Sequence, residues 1–307
     1  MTPIMDTGAT TDQITEDDFK TLLPNTRVAI WGLGLMGGSL ALALKGKCAS
    51  IIGIDTDEET LHLAQEQKIV DRVYSMDSVR ANPVEILNGI DLIILAVPVR
   101  AILRLLDEIP MMCPAPAVIL DLGSTKVDIT RAMEGLPDRF DPIGGHPMCG
   151  KEKSSLRFAD GELFKGAPFA LVALERTTSR ARALVIELIH SIQGCPLWLP
   201  ADIHDRWVTS TSHLPFLTAW ALTQATPEEA APLVGPGFRS STRLAGSSSQ
   251  MMVDILATNK DNIRTAIQKL VVQLQLVDKM MEQEDFEGLR SQFELGAEQH
   301  QRLAGGI

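Results

Sequence analysis

A handful of side chains in this 307-residue sequence are of the types that move protons or hold small anions. His146 lies between Gly145 and Pro147 in Asp141-Pro-Ile-Gly-Gly-His-Pro-Met-Cys-Gly150, a stretch dense in turn formers. An imidazole changes charge near neutral pH, so His146 can act as a proton acceptor; it can equally be a structural histidine bonded to backbone. Ser124, in Asp121-Leu-Gly-Ser-Thr-Lys126, can donate a hydrogen bond to a ligand or cap the helix that follows it. His213, in Ser212-His-Leu-Pro215, falls inside a helical pattern and reads as a core histidine. Arg239 and Arg243, in Gly237-Phe-Arg-Ser-Ser-Thr-Arg243, carry the planar fork that clamps a carboxylate, although solvated surface arginines fit the same pattern.

A second cluster says what such groups could work beside. Val28 to Trp31 are an apolar run fit for a buried parallel strand, and Gly32, Gly34 and Gly37 follow at the G-x-G-x-x-G spacing before a helical pattern. In that spacing the first glycine makes the turn, the second admits a pyrophosphate and the third lets helix pack on strand. Gly32, Leu33, Gly34, Leu35, Met36 and Gly37 are therefore the expected phosphate-facing segment, with free N–H groups at the helix start. Ile51 to Asp55 read as the next strand, and Asp55 lies eighteen residues beyond Gly37, where a carboxylate accepts hydrogen bonds from an adenosine ribose. The alternative for Asp55 is a helix N-cap. Thr56 to Glu59 supply no arginine for a 2′-phosphate, so the expected cofactor is NAD rather than NADP.

The elements that must position these groups alternate. Glu58 to Gln67 suit a helix, Asp91 to Pro98 a buried strand ended by proline, the residues after it a helix through Ile109, and Ala117 to Asp121 another strand. Phe169 to Leu174 and Pro196 to Leu199 read as strands flanking a helix from Ser179 to Gln193. This predicts a doubly wound α/β Rossmann-type sheet, whose ligands lie beyond the carboxyl ends of the strands; Val97, Pro98, Asp121, Gly123 and Ser124 stand there. From Ala201 the pattern is helical only: His204 to Gln224, Pro227 to Leu233, Ser247 to Met281, and Asp285 to Ala297. The expected domains are a flexible N-terminal tail over 1–26, an NAD-binding domain over 27–200 and an all-α domain over 201–307. Ile255, Ile263, Ile267, Leu270, Leu274 and Val277 are more apolar positions than one small helical domain covers, which predicts a homodimer joined through these helices.

Composition narrows the class. A net charge of −11 argues against a general nucleic-acid surface and makes local arginines and histidines significant for an anionic substrate. Cys48, Cys113, Cys149 and Cys195 show neither C-x-x-C pairing nor metal spacing and read as reduced thiols, which predicts a cytoplasmic protein with no metal site. No apolar run approaches the ~20 residues that span a membrane, so no membrane partner is expected.

Taken together, Gly32-Leu-Gly-Leu-Met-Gly37, Ala96-Val-Pro98, Asp121-Leu-Gly-Ser-Thr-Lys126, Gly144-Gly-His-Pro-Met-Cys-Gly150, Leu163-Phe164, His204-Asp205, Ser212-His-Leu-Pro215 and Gly237-Phe-Arg-Ser-Ser-Thr-Arg243 occur in the order of the prephenate/arogenate dehydrogenase family of tyrosine biosynthesis, which the chain resembles from about Arg27 to the 280s. The resemblance implies NAD-dependent oxidative decarboxylation of a cyclohexadienol that carries a ring carboxylate and a ring hydroxyl. It implies that His146 takes the hydroxyl proton, Ser124 orients that hydroxyl and Arg243 holds the ring carboxylate. His213 is then a substrate-contacting or supporting residue, Lys126 orients the Ser124 loop, and Glu162 is a substrate-side acid linked to arogenate preference, unless it merely caps or faces water. Two other readings stay open. A 3-hydroxyacid-type dehydrogenase on the same fold resembles its relatives in using a lysine early in the second domain, yet none occurs between Lys165 and Lys260. A non-catalytic NAD-binding sensor would lack the proton acceptor.

Overall fold

The structure, a computed structural model, describes residues 22–304 except 152 and 154. Most of the expected N-terminal tail lies outside the described residues. Residues 22–26, expected to belong to it, are instead anchored: Leu23 is buried, and the Leu22 and Leu23 N–H groups donate to Glu187 Oε2, each at 3.1 Å.

Eight strands form one sheet: β1 (Arg27–Trp31), β2 (Ser50–Asp55), β3 (Arg72–Ser75), β4 (Leu92–Leu95), β5 (Ala117–Asp121), β6 (Phe140–Pro147), β7 (Pro168–Ala173) and β8 (Cys195–Trp198). Their order is β3-β2-β1-β4-β5-β6-β7-β8, and all neighbours are parallel except β6 and β7. The order reverses between β1 and β4, which opens a crevice at their carboxyl ends. The helices between the strands are α1 (Leu35–Leu44), α2 (Glu58–Glu66), α3 (Met76–Ala81), α4 (Pro83–Leu87), α5 (Val99–Met112), α6 (Val127–Glu134) and α7 (Ser179–Ser191). Alternate residues of β1 feed two separate cores. Val28 and Ile30 join Leu40, Leu44, Leu184 and Leu188 on one face, while Ala29 and Trp31 join Ile102, Leu106 and Met133 on the other. Burial on both faces explains the unbroken apolar runs of β1, β4 and β5.

Three features were not legible in the sequence pattern. The segment around His146 is the end of strand β6 rather than irregular chain. Its glycines serve close approach: a Cβ on Gly145 would stand 2.5 Å from the Asp121 carbonyl oxygen. The sheet also acquires an antiparallel step at β7, where Gly145 pairs with Leu171 and His146 with Ala170. Finally, β3, α3 and α4 fill a stretch with no clear periodicity in the sequence.

The all-α part comprises α8 (Ala201–Val208), a π-helical turn (Thr209–His213), α9 (Leu214–Ala225), α10 (Pro236–Thr242), a 3₁₀ turn (Arg243–Gly246), α11 (Ser249–Thr258), α12 (Lys260–Glu282) and α13 (Phe286–Ala304). The helix expected from His204 to Gln224 is continuous and widens at the π turn, whereas that from Ser247 to Met281 is broken at Asn259. Met252, Ile255 and Ile263 make a small core of their own. Val272, Leu274, Phe286 and Phe293 on α12 and α13 remain exposed. Among the described residues no helix is long and apolar enough to cross a membrane.

Candidate functional site

The glycine loop is built as its spacing requires. Gly32 adopts φ +90°, and a Cβ there would lie 2.6 Å from the Ala96 carbonyl oxygen and 2.7 Å from Val97. A Cβ on Gly37 would meet the Gly32 carbonyl oxygen at 1.8 Å, so only glycine lets α1 start this close to β1. Gly34 is the N-cap of α1 and has no side chain to occupy the first-turn N–H groups of Leu35, Met36 and Gly37. Those donors, with the positive end of the helix dipole, form an anion cradle. Val97 and Pro98 follow β4 directly, and Pro98 is the N-cap of α5.

Asp55 closes the other wall at the end of β2. Its Oδ2 accepts the Leu33 N–H at 2.7 Å, and its Oδ1 accepts Thr56 N–H at 2.7 Å and Asp57 N–H at 3.0 Å. The α2 N-cap is Asp57, which accepts the Thr60 N–H, so Asp55 is not the cap. The carboxylate is therefore fixed in orientation beside the glycine loop, with one lone pair left, on Oδ2, to accept from a ribose hydroxyl.

Across the crevice, His146 is half-buried and its Nδ1 lies 2.9 Å from His204 Nε2. His204 Nδ1 in turn lies 2.8 Å from Asp205 Oδ1. Asp205 also accepts Lys126 N–H at 2.7 Å and Val127 N–H at 2.9 Å. A carboxylate that receives backbone donors is an acceptor, so His204 Nδ1 must donate to it. With His204 as the neutral ring its Nε2 is a bare lone pair, His146 Nδ1 donates to it, and His146 Nε2 is left as the proton-accepting atom. Burial, together with the nearby charges of His204, Lys126 and His213, pushes the His146 pKa well below the usual histidine value and keeps the ring neutral. The arrangement is a base with its tautomer set by a two-step relay.

Asp205 has a further task. Its carboxylate caps the N-terminus of α6 through the Lys126 and Val127 N–H groups, so Ser124 is not that cap and its hydroxyl stays available. Ser124 stands half-buried at the carboxyl end of β5, on the strand next to that of His146. Behind both lies a fully buried ion pair: Lys126 Nζ donates to Asp121 Oδ2 and, at 2.7 Å, to the Gly145 carbonyl. Asp121 also accepts Gly123 N–H at 2.8 Å and Gly145 N–H at 3.0 Å. Burial pushes the Asp121 carboxyl up and the Lys126 ammonium down, toward a shared proton.

His213 ends the π turn, fully buried, and burial lowers its pKa to about 4. Arg243 begins the 3₁₀ turn packed against α9 and is exposed. Glu162 is not brought to this site. It is exposed and paired with Lys165 at 3.1 Å, and the neighbouring Gly161 faces Leu42 and Ala43 in the last turn of α1, the end away from the glycine loop. His204 and Asp205 are the functional residues the sequence did not mark. Their dipeptide was visible in the resemblance, but neighbours in a helix do not normally form one unit, and only the fold sets them against His146.

Residues 40–195 match the family model described as prephenate dehydrogenase, nucleotide-binding domain, and residues 200–295 match prephenate dehydrogenase, dimerization domain. The chain is 33% identical to the prephenate dehydrogenase of Bacillus subtilis, over 85% of this chain and 72% of that one. It is 27% identical to the cyclohexadienyl dehydrogenase of Zymomonas mobilis, covering 87% of this chain and 92% of that one. A solved prephenate dehydrogenase from A. aeolicus, in complex with hydroxyphenyl propionate and NAD+, superposes with a TM-score of 0.82 at 26% identity, over 92% of this chain and all of that one. A nucleotide-binding sheet, a helical second part and matches to both family models place this chain in the prephenate dehydrogenase family.

Proposed function

We propose that the protein is an NAD-dependent dehydrogenase that oxidatively decarboxylates prephenate, or its amino counterpart arogenate. The observation that carries this reading is the relay His146–His204–Asp205, which leaves His146 Nε2 as a proton acceptor at the edge of a nucleotide crevice. The cradle of Gly32 to Gly37 fits a pyrophosphate, Asp55 fits an unphosphorylated ribose, and Val97 and Pro98 line the same cleft. When bound, the nicotinamide accepts a hydride from the hydroxyl-bearing ring carbon. His146 Nε2 takes the hydroxyl proton as the carbonyl forms, and Ser124 holds that oxygen. The bond to the ring carboxylate then breaks, carbon dioxide leaves, and its electron pair crosses the ring to the oxygen, which takes the proton back from His146. Arg243 holds the ring carboxylate before it leaves. We also propose a cytoplasmic homodimer, supported by the dimerization-domain match and by the exposed Val272, Leu274, Phe286 and Phe293.

Steady-state rates with prephenate and arogenate, each with NAD and NADP, test the proposal. Turnover of at least one ring acid with NAD preferred is the expected result. Binding of NADH without turnover of either would leave the sensor reading instead, and a preference for NADP would remove Asp55 from its role. Arg243→Gln should raise KM about tenfold to a hundredfold, the worth of a charge-assisted hydrogen bond, with the NAD KM unmoved. An unchanged KM for the ring acid would contradict the clamp.

A further inference from the structure

We propose that Asn259 is a positioning residue: its amide holds the π-helical turn Thr209–His213 and fixes His213 as the tautomer with its proton on Nε2, aimed as a donor at an acceptor oxygen of the ring acid. Asn259 sits at the break between α11 and α12, buried, with φ −130° and ψ 30°. Its Nδ2 lies 2.8 Å from the Asp205 carbonyl oxygen, 2.8 Å from Thr209 Oγ1 and 3.3 Å from His213 Nδ1. Its Oδ1 accepts from Asn262 Nδ2 at 2.8 Å. A carbonyl can only accept, which identifies the atom facing Asp205 as the amide nitrogen. Thr209 spends its own hydroxyl hydrogen on the Asp205 carbonyl, at 2.7 Å, and so presents a lone pair to Asn259. The second amide N–H is shared between Thr209 and His213 as a three-centre bond.

His213 Nδ1 therefore faces a donor and must be bare. The ring is neutral, because burial draws its pKa to about 4, so the proton resides on Nε2. That nitrogen is buried and finds no hydrogen-bond partner among the described residues. Native proteins rarely strand a buried donor without a function for it. The ring's surroundings point to the catalytic crevice: Asn259 ties His213 to the backbone of Asp205, whose carboxylate ends the relay from His146. The π turn adds one residue to the helical repeat, which rotates His213 relative to α8, and such turns gather at functional sites.

The substrate part of this inference rests on the function proposed above; the tautomer part does not. Nitrogen-resolved NMR of the unmodified, histidine-labelled protein without substrate should find His213 protonated on Nε2 and bare on Nδ1. A proton on Nδ1 overturns the proposal whatever the enzyme acts on. Kinetics supply the second test. In Asn259→Asp a carboxylate oxygen replaces the donor, so His213 must move its proton to Nδ1, and KM for prephenate or arogenate should rise tenfold or more near pH 8, with NADH affinity kept. The new carboxylate also raises the His213 pKa, so on lowering the pH both ring nitrogens become donors and KM should fall back. The titratable groups around His213 are His204 and Asp205 of α8 and His146 of β6; α11 carries buried Asp254, bonded to Gln250, α9 has no titratable residue, and Lys260 and Asp261 of α12 are exposed. The unmodified protein should show no such recovery. An equal, pH-independent defect in Asn259→Asp and Asn259→Ala would reduce Asn259 to a packing role and sink the proposal.

Discussion

Replacing His146 by Asn lowers kcat by roughly 10²–10⁴-fold, the usual contribution of a positioned general base, while NADH binds as before. Asparagine keeps a donor near His204 Nε2 and roughly the same volume, so β6 and its pairing with β7 survive. What disappears is the bare nitrogen that takes the hydroxyl proton. The glycine loop and Asp55 belong to other elements, and the hydrogen bonds that fix Asp55 come from Leu33, Thr56 and Asp57. Stopped-flow or steady-state rates with titrated NADH fluorescence separate the two effects. A fall in kcat of less than about fivefold, far short of a general base's share, would remove His146 from the chemistry. The pH profile gives an independent reading. His146 is held neutral by burial and by neighbouring charges, so its pKa lies well below the ordinary value. The base form is lost only as pH falls through that depressed pKa. kcat/KM of the unmodified protein should therefore stay level through pH 6.5, the ordinary histidine value, and decline only below it.

Lys126→Met should destabilise the fold by about 3–5 kcal/mol, the cost of stranding one member of a buried ion pair. Asp121 would keep its two backbone N–H donors but lose its counter-charge in a fully buried position. Two groups absorb the loss. The Asp121 carboxyl takes up a proton, and the Gly145 carbonyl loses its ammonium donor, which loosens the residue next to His146. Chemical denaturation with and without Asp121→Asn in the same chain measures the coupling. The double substitution should recover much of the single loss, because a neutral amide leaves no uncompensated charge. If Lys126→Met costs under 1 kcal/mol, the conventional scale of a surface pair, the buried pair does not hold this part of the fold.

How far these roles could be read in the sequence depends on the range of the interaction. The glycine loop was legible because its constraint is local: a turn, a helix start and a contact between residues five apart, Gly32 and Gly37. Asp55 was legible for the same reason, since strand length fixes its distance from the loop. The segment around His146 misled. Glycines and prolines read as turn formers, yet here Gly144 and Gly145 admit neighbouring strands and side chains, and the chain stays extended. Glu162 was placed by resemblance alone, and its surface pairing with Lys165 beside α1 depends on how the loop folds back.

Most strands of the sheet, the nucleotide cradle and the kinds of group offered to the substrate could be read along the chain, because hydrophobic periodicity and glycine geometry act over a few residues. Which way the protons point is settled by contacts between distant parts of the chain. His204 and Asp205 reach His146 from 58 and 59 positions away, and Asn259 reaches His213 from 46. A tautomer is set by the partner across a hydrogen bond, and those partners come from another part of the chain. The widening of the helix at the π turn and the break at the α11–α12 joint bring them together, where the sequence reads as regular α-helix.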